Sequence, residues 1–256
     1  MVSVMGKRGL FLVWLCLVSI LPGMAQTEKL IDYVNPFVGT DGYGNVYPGA
    51  QIPFGGIQMS PDTDSKYYDA ASGYKYNHST LLGFSLTHLS GTGIPDLGDF
   101  LFISGTGEMK LDPGTREEPE KGYRSRYSHE KEWASPNYYA VELSDYGVKA
   151  EMTAASRSGF FRFTYPKSDQ AFILIDMNHT LWQSCPWANL RQINDSTLVG
   201  YKLVKGWGPE RHVYFAATFS CKLNNFQILQ NGKPVIYDTK RFRSHLEAWG
   251  EKLMAC

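Results

Sequence analysis

Residues 83–100 read GFSLTHLSGTGIPDLGDF, and the interpretation of the whole chain starts from this stretch. Phe84, Leu86 and His88 alternate with small polar residues, which is the pattern of a half-buried β-strand. The next residues are small and include two glycines, so their backbone can turn sharply or approach a ligand closely. An apolar run then resumes at Phe100. The stretch therefore predicts two strands joined by a tight polar loop.

The polar loop gathers groups that can bind a polar ligand. It holds the imidazole of His88, two hydroxyl groups and the carboxylates of Asp96 and Asp99. Loops carried on a rigid sheet are common places for binding sites. A glycine-rich hairpin whose aspartates only cap turns is an equally open alternative.

Composition limits the classes of function. The chain has 256 residues, which suits one large all-β domain or two small domains. Lys and Arg together number 25, as do Asp and Glu, so no basic excess favours nucleic acid or an anionic membrane surface. Aromatic residues make up 14% of the chain, with 16 Tyr and 6 Trp. Aromatic faces stack on sugar rings, but they also fill sandwich cores.

The N-terminus has the pattern of a secretory signal peptide. Lys7 and Arg8 precede an apolar run over residues 10–21, and small residues before Ala25 predict cleavage after that residue. The run is too short for a comfortable membrane span. We therefore expect residues 1–25 to be a leader, no membrane span after its removal, and export to a bacterial periplasm or the exterior.

Three cysteines remain in the expected mature chain, namely Cys185, Cys221 and Cys256. A bridge between Cys185 and Cys221 is possible, but isolated thiols are the favoured interpretation. The spacing of the cysteines does not match a metal site.

Most of the chain reads as short strands separated by turns. The predicted strands cover residues 57–59, 101–109, 137–143, 148–154, 158–165, 171–177, 196–202, 212–219, 226–229 and 235–237. Residues 61–64 and 110–126 read as a turn and a solvated loop. Residues 253–255 look like the start of a strand that the chain does not finish. With almost no amphipathic helix, the pattern predicts an all-β fold, an antiparallel β-sandwich, over residues 26–256.

Several ordered motifs together resemble a known family. They are YVNPFVGT from Tyr33, YPGA from Tyr47, PFG from Pro53, SPDT from Ser60, SGY from Ser72, the stretch 83–99, GFFRFTYP from Gly159 and KGW from Lys205. The chain resembles, from about Tyr33 to its end, the N-terminal domain of glycoside hydrolase family 92. Members of that family are exo-acting α-mannosidases found mainly in bacteria.

The resemblance implies a supersandwich-like N-terminal domain followed by a larger α/α barrel that is absent from this chain. It also implies calcium-dependent, inverting release of terminal α-linked mannose. In the family both catalytic carboxylates and the calcium ligands lie mainly in the barrel. The resemblance therefore assigns no catalytic residue and no metal ligand here. It implies mannose-containing glycans and the barrel domain as partners.

The resemblance does imply a share of the mannose pocket at the domain interface, for which the candidates are Tyr68, His88, Asp96 and Trp207. The family commonly has a tryptophan where Tyr68 stands, so the linkage preference is open. Each candidate also has a structural alternative: His88 as a core histidine with satisfied partners, Asp96 as a turn cap, and Trp207 as core packing.

Two functions follow from these observations. The first is the sandwich domain of a secreted α-mannosidase, inactive alone, with an exposed apolar patch for the barrel. The alternative is a freestanding carbohydrate-binding module. A weaker third hypothesis places catalysis on Asp96, Asp99 and His88.

Overall fold

The computed structural model describes residues 29–66, 68–235 and 247–256, so the predicted leader lies outside the described residues. A compact unit covers residues 34–256, while a 3₁₀ turn at Leu30–Tyr33 belongs to a separate unit. The other short 3₁₀ turns are Tyr68–Ala70, Pro119–Lys121 and His129–Lys131. No helix in the described parts of the chain is long and apolar enough to span a membrane.

The described residues form eighteen β-strands. They are β1 (Ala50–Gln51), β2 (Gln58–Asp62), β3 (Thr80–Leu81), β4 (Gly83–Ser85), β5 (Leu101–Thr106), β6 (Ser125–Arg126), β7 (Glu132–Ser135), β8 (Tyr138–Leu143), β9 (Val148–Ala154), β10 (Gly159–Thr164), β11 (Ala171–Asp176), β12 (Ser184–Asn194), β13 (Thr197–Lys205), β14 (Arg211–Thr218), β15 (Ile228–Gln230), β16 (Lys233–Pro234), β17 (Glu247–Gly250) and β18 (Leu253–Ala255).

The strands form an antiparallel β-sandwich, as the sequence predicts. One sheet has eight strands in the order β1-β2-β4-β5-β11-β18-β15-β16. Two sheets of four strands, β10-β9-β8-β7 and β14-β13-β12-β17, pack against it, and β3 pairs with β6. The paired strands run antiparallel throughout, from β1 and β2 to β15 and β18.

Aromatic side chains hold the layers together. Phe84 of β4 lies directly opposite Phe102 of β5, so both side chains point to the same face of the eight-stranded sheet. Phe161 of β10 contacts both rings, with centroid distances of 6.2 Å and 5.2 Å. Because Phe161 packs against the cores of both four-stranded sheets, these rings join the two halves of the sandwich.

Residues 253–255 form a strand inside the large sheet. Strand β18 pairs with β11 on one side, where Ala255 faces Ile175, and with β15 on the other, where it faces Ile228. The short apolar run at residues 253–255 is therefore an interior strand.

Some elements differ from the sequence prediction. The longest strand, β12, was not predicted, because Pro186 and an irregular register hide its alternation. Residues 110–126 are not simply a solvated loop, since Tyr123 is buried in a third core behind the large sheet and Arg124 is also buried. The predicted strand at 235–237 is replaced by β16, and residues 236–237 lie outside the described residues.

A packing prediction follows from Gly200 in β13. A methyl group at this position would lie 2.0 Å from the ring of Phe215, which packs in the core beside Phe100. Overpacking of this kind costs about 1–3 kcal/mol. We expect Gly200→Ala to lower the free energy of unfolding by that amount in chemical denaturation.

The matched control is Gly208→Ala, because nothing lies within 4 Å of a methyl group there. That variant should unfold within about 0.5 kcal/mol of the parent. Equal stability of both variants would contradict the close contact between β13 and Phe215.

Candidate functional site

Three connecting segments meet at one end of the sandwich. The backbone amide of Trp182 donates to the carbonyl of Ser65 at 3.0 Å, and the amide of Leu181 donates to the carbonyl of Leu97 at 3.0 Å. The side-chain amide of Gln183 donates to the carbonyl of Pro95 at 2.7 Å. The segments that follow β2, β4 and β11 are therefore fixed against each other.

Two exposed aromatic rings stand on this end. Tyr68 and Trp182 are 52% and 57% exposed, and their rings meet edge to face with centroids 5.8 Å apart. The backbone of Trp182 has φ of 63°, which is uncommon for a bulky residue and marks local strain. Such strain persists only where the surroundings impose it, and here the two hydrogen bonds from the amide of Trp182 help to do so. We call Tyr68, Asp96, Trp182, Gln183 and Trp207 the end surface.

A buried carboxylate lies under the end surface. Asp62, the last residue of β2, is fully buried between two imidazoles: Nε2 of His88 lies 2.8 Å from Oδ1, and Nε2 of His179 lies 2.7 Å from Oδ2. Burial acts to raise the pKa of Asp62, but the charge of His88 and the hydrogen bonds from both imidazoles lower it below its ordinary value. The carboxylate thus joins β2 to the segments after β4 and β11.

His88 is held on both ring nitrogens. Nδ1 lies 2.7 Å from the carbonyl of Gln58, and Nε2 also lies 3.1 Å from the hydroxyl of Ser85. A carbonyl and a carboxylate both accept hydrogen bonds, so both nitrogens are satisfied when each carries a proton. Gly73 permits the arrangement, because a methyl group there would lie 2.1 Å from Oδ1 of Asp62.

A second buried ion pair extends the polar chain. Lys202 is fully buried, and its ammonium donates to the carbonyl of His179 at 2.6 Å and lies 3.1 Å from Oδ1 of Asp99. Arg211 bonds the other oxygen of Asp99 and also lies 3.6 Å from Oδ1 of Asp96. Burial acts to raise the pKa of Asp99, but Lys202 and Arg211 lower it. The chain of polar contacts therefore runs from the core to the end surface.

The four predicted residues occupy different depths. Tyr68 and Trp207 are exposed. Trp207 lies near Gln183, because a methyl group on the preceding Gly206 would come within 2.2 Å of the side-chain amide oxygen of Gln183. Asp96 is largely buried and accepts a hydrogen bond from the amide of Leu97 at 2.6 Å. His88 is buried beneath them. A direct sugar contact of each residue stays a prediction.

Sequence reasoning missed Trp182, Arg211 and the carboxylate of Asp62. Trp182 precedes the unpredicted strand β12, so no periodic pattern marked its position. Asp62 was expected in a turn but ends a buried strand. Its histidine partners lie 26 and 117 residues away, so no local spacing could have revealed the cluster.

These residues do not fit a calcium site. Calcium prefers six to eight oxygen ligands. Asp62 is occupied by two imidazoles, and Asp99 by an ammonium and a guanidinium. Among the described residues, no group of three or more His, Cys, Asp or Glu side chains is arranged to hold a metal ion.

The Asp62 cluster generates a stability prediction. Asp62→Asn leaves two buried imidazoles facing a neutral amide, and breaking a buried ion pair costs about 3–5 kcal/mol. A lowered folded-state pKa stabilises the fold above the unfolded-state pKa, and this contribution is lost as the pH falls below about 4. We expect the variant to be less stable near pH 7 and to lose less stability between pH 5 and pH 3 than the parent, in denaturant titrations at each pH.

The control is Asp195→Asn, because that carboxylate is 74% exposed and pairs with Lys222 at the surface. Exposed pairs contribute about 0–1 kcal/mol, so its stability should follow that of the parent. An Asp62→Asn variant with the parent's stability and pH dependence would contradict the role of the cluster.

The comparisons with known proteins agree in one family. The model of the glycosyl hydrolase family 92 N-terminal domain matches residues 33–251. The solved structure of a family 92 α-mannosidase from Bacteroides thetaiotaomicron matches with a TM-score of 0.87 and 82% sequence identity. The match covers 90% of this chain and 31% of that protein, whose structure in complex with mannoimidazole is also known.

One distant solved structure shares the fold, and one further relative matches in sequence. An inverting family 92 mannosidase from the same organism has a TM-score of 0.69 at 23% identity, over 90% of this chain and 29% of its own. An uncharacterized secreted glycosidase from Arthroderma benhamiae is 30% identical over 57% of this chain and 19% of its own. This chain therefore spans less than a third of each of these relatives. Since the family model matches most of the 256 residues, the chain belongs to glycosyl hydrolase family 92, within its N-terminal domain.

Proposed function

We propose that this chain supplies the sugar-facing end of an α-mannosidase that releases terminal α-linked mannose with inversion. The observation that carries the proposal is the exposed pair Tyr68 and Trp182, fixed on a rigid end of the sandwich. Aromatic rings offer flat apolar faces that suit the C–H faces of sugars. The mannoimidazole complex of the 82% identical relative supports mannose as the sugar.

The other residues of the end surface have distinct roles in this proposal. Trp207 is 69% exposed, so its ring is free to contact a second sugar unit. Asp96 accepts hydroxyl hydrogen bonds, and Arg211 fixes its carboxylate from one side. His88 acts from the interior as a positioning residue, because it connects β2 to the loop that carries Asp96.

The catalytic carboxylates and the calcium are proposed to belong to the remainder of the mannosidase. A glycosidase general acid needs a raised pKa so that it is protonated when it meets the leaving oxygen. The pKa values of Asp62 and Asp99 are lowered instead, and cationic or imidazole partners surround both groups. These carboxylates suit structural roles, so this domain is proposed to be inactive alone.

The same reasoning extends to the partners and the compartment. The proposed partner is an α/α barrel domain of the family, which would meet the end surface and complete the mannose pocket. Export is proposed from the leader pattern at residues 1–25, and the name of the secreted fungal relative supports it.

A domain exchange tests the proposal. Residues 34–256 replace the corresponding domain of the 82% identical α-mannosidase, and hydrolysis of a small α-mannoside is measured with calcium present. We expect the chimera to be active, and Trp182→Ala or Tyr68→Ala to lower kcat/KM by roughly tenfold, because each variant removes a stacking ring. The unfused chain should bind mannose weakly and show no turnover.

The matched control is Trp133→Ala, which removes a 49% exposed ring from β7. That variant should keep the parent's kcat/KM. An active chimera that tolerates both end-surface substitutions would overturn the sugar-facing role. Turnover by the unfused chain would overturn the assignment of catalysis to another domain, and a folded but inactive chimera that still binds mannose would favour the carbohydrate-binding alternative.

A further inference from the structure

A second set of aromatic rings lies on the outer face of the sheet β14-β13-β12-β17. Trp187 of β12 contacts Tyr201 of β13 with ring centroids 5.3 Å apart, and Tyr201 contacts Tyr214 of β14 at 4.7 Å. The imidazole of His212 stacks on Tyr201 at 5.7 Å. We call Trp187, Tyr201, His212 and Tyr214 the aromatic face.

The strand pattern explains why these rings point outward. Along β14, half-buried and exposed residues alternate, and Tyr214 and His212 are among the exposed ones. Along β13, Leu198 and Lys202 point inward, so Tyr201 points to the opposite side. The rings therefore stand on a sheet whose other side is packed into the core, which fixes their positions before any ligand arrives.

The aromatic face also carries polar groups that suit hydroxyls. The phenol of Tyr201 bonds Nδ1 of His212 at 2.6 Å, and Nε2 of His212 bonds the carboxylate of Glu210 at 3.0 Å. Tyr214 is 71% exposed and Trp187 is 39% exposed. Rings with polar edges and a mixture of acidic and basic groups match a neutral, hydroxyl-rich ligand better than a strongly charged one.

The position of the aromatic face identifies the ligand class. Ser184 of β12 pairs with Lys205 of β13, so the ends of these strands border Gln183 and Trp207 of the end surface. Tyr201 lies four residues further along β13, which is about 13 Å at the usual rise per residue. Trp187 lies between, opposite Leu203. The rings thus form a path that starts at the end surface.

We propose that the aromatic face binds the internal units of an α-mannan chain whose terminal mannose lies at the end surface. This proposal rests on the proposed function for the identity of the sugar. It adds a second binding site, with Trp187 and Tyr214 as the contact rings and the exposed carboxylate of Glu210, which His212 holds, as a hydroxyl partner. The consequence is a preference for long mannans over single mannosides.

Calorimetric titration of the chain with soluble α-mannan and with methyl α-mannoside tests the proposal. We expect the chain to bind α-mannan more tightly than methyl α-mannoside. Trp187→Ala and Tyr214→Ala should each weaken α-mannan binding by roughly tenfold and leave methyl α-mannoside binding unchanged. Tyr214→Phe keeps the ring and should retain most of the α-mannan affinity.

Phe160→Ala is the matched control, because it removes a 65% exposed ring from β10 on a different sheet. Its α-mannan affinity and its thermal midpoint should equal those of the parent. Loss of α-mannan binding in Phe160→Ala as well, or full retention in Trp187→Ala and Tyr214→Ala, would overturn the aromatic face as a binding site.

The same variants in the domain-exchange chimera separate the two proposals. Tyr214→Ala should leave kcat/KM for the small α-mannoside unchanged and lower it for α-mannan. If the rest of the enzyme covers this face instead, the substitution will lower the thermal midpoint of the chimera and leave α-mannan turnover unchanged, which overturns the inference. An inactive chimera would count against the proposed function, while the calorimetric result for the aromatic face would stand.

Discussion

The architecture of the end surface depends on one buried carboxylate with two imidazole partners. Asp62 has no access to water, so its charge is tolerable only because His88 and His179 each occupy one of its oxygens. These three residues come from the end of β2, the loop after β4 and the loop after β11. Removal of any one of them leaves a buried polar group without its partner. The hydrogen bonds of this cluster therefore fix the positions of three separate segments relative to each other.

The ion pair of Lys202 and Asp99 connects this buried cluster to the end surface. Lys202 contacts the carbonyl of His179 and the carboxylate of Asp99, and Arg211 connects Asp99 to Asp96 near the solvent. Lys202 and Arg211 belong to the neighbouring strands β13 and β14, so the sheet that holds the aromatic face also fixes the end surface. A rigid interior of this kind, together with the two hydrogen bonds from the amide of Trp182, allows this exposed residue to keep a strained backbone.

The alternation of apolar and polar residues in the sequence predicted many strands of the sandwich, but it did not predict the buried polar contacts. Strand β9 was predicted with its observed bounds, because its alternation is clean and turns flank it on both sides. Strand β12 was missed because Pro186 and a register shift interrupt its alternation. The Asp62 cluster was missed for a different reason. Its members are far apart in sequence, and only the folded sheet brings them together. In the sequence alone, the pattern around Asp62 is that of an aspartate in a turn.

The depth of each polar group also explains a division of labour within the proposed mannosidase. A group that must give up or take up a proton needs a pKa near the working pH, which demands an environment without strong opposite charges. The carboxylates under the end surface have the opposite environment, and their lowered pKa values suit permanent charges that hold loops in place. In the proposed function this domain therefore offers a sugar stacking from Tyr68 and Trp182 and hydroxyl contacts from Asp96. The same proposal assigns proton transfer to carboxylates that lie outside this buried network.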